Sequence, residues 1–250
     1  MSLSQRLRVL VPGLLLVSAV ALPAACTSPG AMDRAPSTGE ELAAETSVKP
    51  GINESWKSED IGPLVERLEP ESREIYAQRG LIAAVTGPKP GAVVADIGAG
   101  SGFMAHLFSR MVGPAGKVYA VDINPSLLEH IASGARERGL SNLQTVLCTE
   151  KSVELAPASV DLVFVCDTYH HFEYPKNTLS TIHRALRPGG QLVVVDFERI
   201  EGVSSDWVLG HVRAGKDVFS EEIVAAGFEL TNEHDLEALA DNYILRFRRK

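Results

Sequence analysis

Apolar residues fall along this chain in two rhythms. Short continuous runs at Ala92–Asp96, Lys117–Val121, Leu143–Cys148, Val160–Cys166 and Gln191–Asp196 predict strands buried on both faces. Between them, helical spacing runs over Ile61–Leu68, Glu71–Val85, Phe103–Val112, Ser126–Arg138 and Thr178–Leu186. The punctuation agrees with this reading. Pro70 and Gly87-Pro88 bound the first helices, Asn124 and Pro125 cap the fourth and Gly139 ends it. Arg187-Pro188-Gly189-Gly190 closes the last. The tail predicts a helix near Ser220–Ala226, then Phe228–Leu230, and a strand near Tyr243–Phe247. Strands alternating with helices predict an open, doubly wound α/β domain with a mostly parallel sheet.

The first fifty residues follow neither rhythm. Arg6 and Arg8 precede an apolar run from Val9 to Ala25 that ends at Cys26. A basic start, a short apolar stretch and small residues before a break predict a secretory signal over residues 1–26. Leu22-Pro23-Ala24-Ala25-Cys26 resembles the lipobox of bacterial lipoproteins, which implies membrane anchoring through a lipidated Cys26. Ordinary signal-peptide cleavage is the alternative, since Pro23 departs from the pattern. Residues 27–51, rich in Ser, Thr, Pro, Gly, Ala and Glu, read as a flexible tether, and residues 52–250 as the domain. The expected location is therefore outside the cytoplasm, periplasmic or membrane-anchored. Translation from Met32 would instead leave the protein cytoplasmic.

Composition narrows the function classes. The 250 residues carry 24 Lys+Arg against 32 Asp+Glu, a formal net charge of −8, so a basic footprint for nucleic acid is missing. A small-molecule enzyme fits better. Three cysteines exclude a disulfide scaffold, and Cys148 and Cys166 read as buried thiols.

The chemistry concentrates at Val93-Val94-Ala95-Asp96-Ile97-Gly98-Ala99-Gly100-Ser101-Gly102, a strand, a glycine-rich turn and a helix start. A dinucleotide site needs a third glycine where Phe103 stands, and Asp96 would repel a pyrophosphate. A nicotinamide-dependent oxidoreductase is disfavoured on both counts. A carboxylate there suits a cationic group such as an α-ammonium. The second strand runs into Asp122 and Ile123, and an acid at that place accepts from both ribose hydroxyls. An amino-acid end and a ribose end on one nucleoside describe S-adenosylmethionine.

At these residues the chain resembles the class I S-adenosylmethionine-dependent methyltransferases. Asp96-x-Gly98-x-Gly100-x-Gly102 is similar to their first motif, Asp122 to their ribose acid, Val160-Asp161-Leu162-Val163-Phe164-Val165 to the fourth-strand motif. Leu186-Arg187-Pro188-Gly189-Gly190-Gln191-Leu192 is similar to the turn into their fifth strand. The likeness spans Leu81 to Glu198 and is greatest to the small-molecule branch that includes quinone-biosynthesis enzymes. It implies a seven-stranded, Rossmann-like sheet with N-terminal helices. It implies S-adenosylmethionine held by Asp96, Gly98, Ala99, Gly100, Gly102, Asp122, Ile123, Glu150 and Asp167, with a small-molecule acceptor. For Glu150, a solvated loop acid is the competing reading.

Carboxyl ends of strands carry the sites of such sheets, which singles out Cys166-Asp167-Thr168-Tyr169-His170-His171-Phe172. His170 or His171 is a candidate base for an acceptor proton; the alternative is that each only shapes the loop. Two histidines also raise a metal site, but no third ligand stands at a telling spacing, so none is expected. Tyr169, His211 and Arg213 are candidates for acceptor contact, and Trp56, Arg73, Glu74, Tyr76, Trp207 and Asp196 for shaping its pocket. A non-catalytic module that binds the nucleoside without turnover is the rival from another class.

Overall fold

The computed structural model describes residues 44–250. The apolar leader, Cys26 and most of the 27–51 segment lie outside the described residues. Seven strands form one sheet: β1 (Val93–Ile97), β2 (Lys117–Asp122), β3 (Leu143–Leu147), β4 (Val160–Cys166), β5 (Leu186–Phe197), β6 (Phe228–His234) and β7 (Asn242–Arg249). Their order is β3-β2-β1-β4-β5-β7-β6. Strands β1 to β5 pair in parallel, while β7 runs antiparallel to both β5 and β6. The helices are α1 (Gly62–Leu68), α2 (Glu74–Ala77), α3 (Arg79–Thr86), α4 (Phe103–Val112), α5 (Pro125–Glu137), α6 (Pro175–Ala185), α7 (Asp206–His211) and α8 (Lys216–Ala225).

The continuous apolar strands serve two cores at once. Ala95, Ile97, Val121, Val163, Val165 and Val194 bury against one face. Val94, Val118, Ala120, Leu162, Phe164 and Val193 bury against the other. Alternate residues of one strand thus enter opposite layers, which is why no polar stripe interrupts them.

Several elements differ from the sequence expectation, among them β5, which starts at Leu186 rather than Gln191, and α8, which starts at Lys216 rather than Ser220. The helix expected over Glu71–Val85 is two, because Gln78 leaves helical geometry between α2 and α3. The apolar rhythm crosses the break unchanged: Ile75 and Ile82, seven residues apart, are both buried. Helix α6 starts earlier than Thr178, and its first turn is capped by a distant residue: the Glu45 carboxylate accepts from Lys176 N and Asn177 N, both at 2.9 Å. Helix α7 had no signal, since Val208 is its one buried residue.

The Glu45 cap also revises the tether. Val48 N donates to the Glu173 carbonyl at 2.9 Å, and Ser47 Oγ to the Glu173 carboxylate at 2.7 Å. Lys49 Nζ reaches the Gly210 carbonyl at 3.1 Å. The last residues of the 27–51 segment are therefore bonded into the domain. Their composition gave no warning, because hydrogen bonds rather than apolar burial hold them.

Candidate active site

Strand β1 delivers its carboxyl end to a tight turn. Gly98 has φ +70°, and a Cβ on it would stand 2.3 Å from Thr168 Cγ2, so neither the backbone angle nor the space admits a side chain. Four of the amides in Gly98–Gly102 are already engaged. Gly98 N and Ala99 N donate to the Val121 carbonyl (2.8 and 3.1 Å), Gly102 N to the Ala99 carbonyl (2.8 Å) and Gly100 N to Asp122 Oδ2 (2.9 Å). An anion-binding nest needs such N–H groups free. This turn is therefore a poor pyrophosphate cradle, a geometric reason to set aside a dinucleotide that adds to Asp96 and Phe103.

Asp96 is buried behind the turn, and its Oδ2 has no hydrogen-bond partner among the described residues. Burial, reinforced by the neighbouring Asp122, pushes its carboxyl up to about 7. An unpartnered buried carboxylate is costly alone and is relieved by a cation. Asp122 is also buried and raised, chiefly by burial, but its oxygens are occupied: Oδ1 accepts from Asn124 N at 2.9 Å and Oδ2 from Gly100 N. Each carboxylate oxygen has a second lone pair, which leaves room for ribose hydroxyls.

A cavity of about 120 Å³ opens beyond these strand ends, lined by Gly98, Gly100, Asp122, Ile123, Glu150, Asp167 and His171 among others. Asp96, Ala99, Gly102, His170, Tyr169, His211 and Arg213 are not among its lining residues. Ala99 packs in the core, and Gly102 starts α4 at φ +83° with Ile131 against it. Glu150 lines the cavity and makes an exposed ion pair with Lys57 at 2.8 Å.

The cavity's roof comes from the N-terminal segment. Asn53, Trp56, Leu68 and Arg73 line it, and Leu68 Cδ1 lies 2.9 Å from where a Gly100 Cβ would be. Asn124 fastens this roof: its Nδ2 donates to the Trp56 and Ser58 carbonyls (2.7 and 2.8 Å), while its Oδ1 caps α5. Asn53 and Leu68 carried no sequence signal, because a leucine ending an amphipathic helix reads as core. Arg73 donates to Asp167 Oδ2 at 2.6 Å and Asn242 to Asp167 Oδ1 at 2.7 Å. Asp167 takes up a positive φ of 45° to meet both, and burial raises its carboxyl despite Arg73. Glu74 and Tyr76 lie elsewhere: Glu74 accepts from Asp241 N at 3.2 Å, and Tyr76 packs on Phe103.

Two candidates for acceptor contact lie away from the cavity. Tyr169 is fully buried, its hydroxyl donates to Glu222 Oε2 at 2.9 Å, and burial pushes it well above the usual phenol range. Arg213 grips the same Glu222 through two nitrogens (2.8 and 2.6 Å) and lies over the Phe219 ring. Tyr169 thus joins the β4–α6 loop to α8 and Arg213 the α7–α8 loop to the same helix, and neither lines the cavity. Free cysteines 148 and 166 line the cavity, with burial raising both thiols, which disfavours a thiolate nucleophile.

The histidines separate into roles. His170 is buried and its Nδ1 meets Asp196 Oδ1 at 2.7 Å, while its backbone N donates to Asp196 Oδ2. His171 lines the cavity; burial and the adjacent histidines lower it to about 2, so it is neutral at working pH and a weak base. His211 is lowered to about 4 by burial and by His170. Its Nε2 lies 3.3 Å from His171 Nε2, and Trp207 stacks on its ring at 4.7 Å.

Comparison with known proteins agrees with this architecture. A methyltransferase-domain family matches residues 95–194. A ubiquinone/menaquinone biosynthesis C-methyltransferase from Hahella chejuensis is 33% identical over 115 residues, 46% of each chain. Its counterpart from Bordetella parapertussis is 30% identical over 139 residues, 54% of each. The chain therefore spans about half the length of these curated relatives. Among solved structures, a SAM-dependent methyltransferase from Aquifex aeolicus matches with a TM-score of 0.67 at 22% identity, covering 76% of this chain and 98% of that one. A possible exported protein from Bordetella parapertussis matches at 0.57 and 15% identity, covering 70% and 67%. The structural likenesses speak to the fold, and the family match and identities to the motifs within it. Residues 95–194 match a methyltransferase-domain family, and the sheet that holds them has the α/β fold of a solved SAM-dependent methyltransferase.

Proposed function

We propose that this protein transfers a methyl group from S-adenosylmethionine to a small-molecule acceptor. The observation that carries the reading is the pair of buried acids flanking a glycine turn most of whose amides are spent. Asp96 offers an unpartnered oxygen to an α-ammonium, and Asp122 faces the cavity with spare acceptor capacity for a ribose. Ile123 and Glu150 line the adjoining wall, where an adenine would lie.

When bound, the sulfonium supplies an already activated methyl group, so alignment and exclusion of water matter more than a strong base. The chain's residues serve those ends. Trp56, Leu68 and Phe172 give the cavity apolar walls, and Arg73 holds Asp167 in its strained backbone position at the mouth of β4. The present cavity is well below the roughly 300–1,000 Å³ of ordinary ligand pockets. Leu68 packs over Gly100 at the wall where a nucleoside would lie.

The location outside the cytoplasm is part of the same proposal. It rests on the 1–26 segment, and the similar fold described as a possible exported protein is in keeping with it. An exported enzyme would need a supply of the donor across the membrane. Mass spectrometry of the N-terminus of protein from its native host decides the matter: a lipidated Cys26 supports anchoring, and an intact Met1 or a Met32 start overturns it.

Calorimetry on the full chain tests the activity's first requirement. Binding of S-adenosylmethionine, followed by transfer of its labelled methyl group into an extract of small molecules, is the expected result. Absence of heat at high micromolar ligand overturns the reading. Binding without transfer to any acceptor fraction favours the non-catalytic module.

A further inference from the structure

We infer that His170, His171 and His211 form a three-imidazole site for a divalent transition metal, zinc being the ion whose preferences fit best. The three side chains come from two elements about forty residues apart, the 3-10 turn Tyr169–His171 after β4 and the end of α7. One ring nitrogen from each lies within 4.8 Å of the others. His171 Nε2 and His211 Nε2 are 3.3 Å apart. Two nitrogens bound to tetrahedral zinc at roughly 2.0–2.1 Å stand about 3.3 Å from each other. The observed spacing is that of two ligands around one ion, and a small turn of the half-buried rings brings in the third.

The surroundings support a metal rather than a chance cluster. A metal-binding imidazole commonly donates its second nitrogen to a carboxylate, which fixes tautomer and ring orientation. His170 does so: Asp196, fully buried at the end of β5, accepts at Nδ1 and also from the His170 backbone N–H, leaving Nε2 for an ion. Asp196 further brings negative charge to the group. Trp207 stacked on His211 and Trp56 edge-on to His171 at 5.8 Å hold the outer rings from the solvent side. Imidazole donors suit zinc, copper, iron and nickel and not magnesium or calcium. Three protein ligands leave a fourth position, the mark of a reactive rather than a structural site. Because His171 also lines the cavity, that position adjoins the place where an acceptor oxygen would lie. Metal binding itself stands independently of the methyl-transfer reading.

The test uses the full chain, stripped with a chelator and titrated with Co2+ as a spectroscopic probe, then with Zn2+ in competition. The expected result is one equivalent bound with the visible bands of four-coordinate cobalt. His211→Gln should weaken binding at least about 100-fold, and Asp196→Asn, which keeps all three imidazoles, about 10–100-fold. Lys49→Gln is the control for structure: it removes a bond to the carbonyl of His211 without touching a ring nitrogen, and should not weaken binding. No cobalt bands in the wild type, or equal affinity in His211→Gln, overturns the site. S-adenosylhomocysteine binding on the same samples separates this failure from failure of the methyltransferase reading.

Discussion

Replacing Asp96 by asparagine separates two consequences of burying a carboxylate. In the ligand-free protein the group sits near 7, against 3.8 for an ordinary aspartate. The native state therefore holds a proton that the unfolded chain has already released. Stability falls as pH rises from about 4 to about 7, by on the order of 4 kcal/mol at about 1.4 kcal/mol per pKa unit. Asp96→Asn escapes that loss, so at pH 8 its thermal midpoint should exceed the wild type's, with the difference vanishing near pH 4. Binding should move the other way. If Asp96 pairs with the α-ammonium, the protonated form must first ionise, and affinity for S-adenosylhomocysteine weakens about 30-fold between pH 8 and pH 5.5. The asparagine variant loses both the affinity and the pH dependence. Calorimetry across that pH range reads all of this. A flat affinity profile, or an asparagine variant that binds like the wild type at pH 8, refutes the assignment of Asp96 to the cationic end of the ligand.

Gly98→Ala places a methyl group against Thr168 at a positive φ, and should cost about 1–3 kcal/mol in urea unfolding together with measurable nucleoside binding. Glu45→Ala removes both carboxylate bonds to the first turn of α6 and should destabilise by about 1 kcal/mol; no change would mean that the segment before Gly51 is not part of the fold. Tyr169→Phe deletes one buried hydrogen bond to Glu222, about 1 kcal/mol by denaturation, and should leave the KM for the acceptor unchanged. A raised KM would restore Tyr169 to the acceptor site.

Much of the architecture was legible because it rests on local rules. Continuous apolar strands, helical spacing and the caps at Asn124 and Gly139 place five parallel strands with their helices, and the observed bounds of β1 to β4 lie within a residue of expectation. The strand-to-turn motif brought Gly98, Gly100 and Asp122 to one cavity for the same reason: short-range backbone geometry dictates where glycine is needed and where a strand ends. Residue type alone could not say which way a polar side chain is spent. Tyr169 and Arg213 carry the right chemistry for a substrate, yet both are consumed by Glu222, 53 residues from the first and 9 from the second.

What the sequence by itself determined is the order of elements, the burial of the central strands on both faces, and the acids near the ends of β1 and β2. Only the tertiary structure decided what closes over them and what gathers beside them. Leu68 on the glycine turn, Glu45 on the cap of α6 and His211 beside His171 are pairings between segments far apart in the chain. None follows from periodicity or spacing, because each side chain's partner is set by where the sheet and its crossovers bring distant loops together.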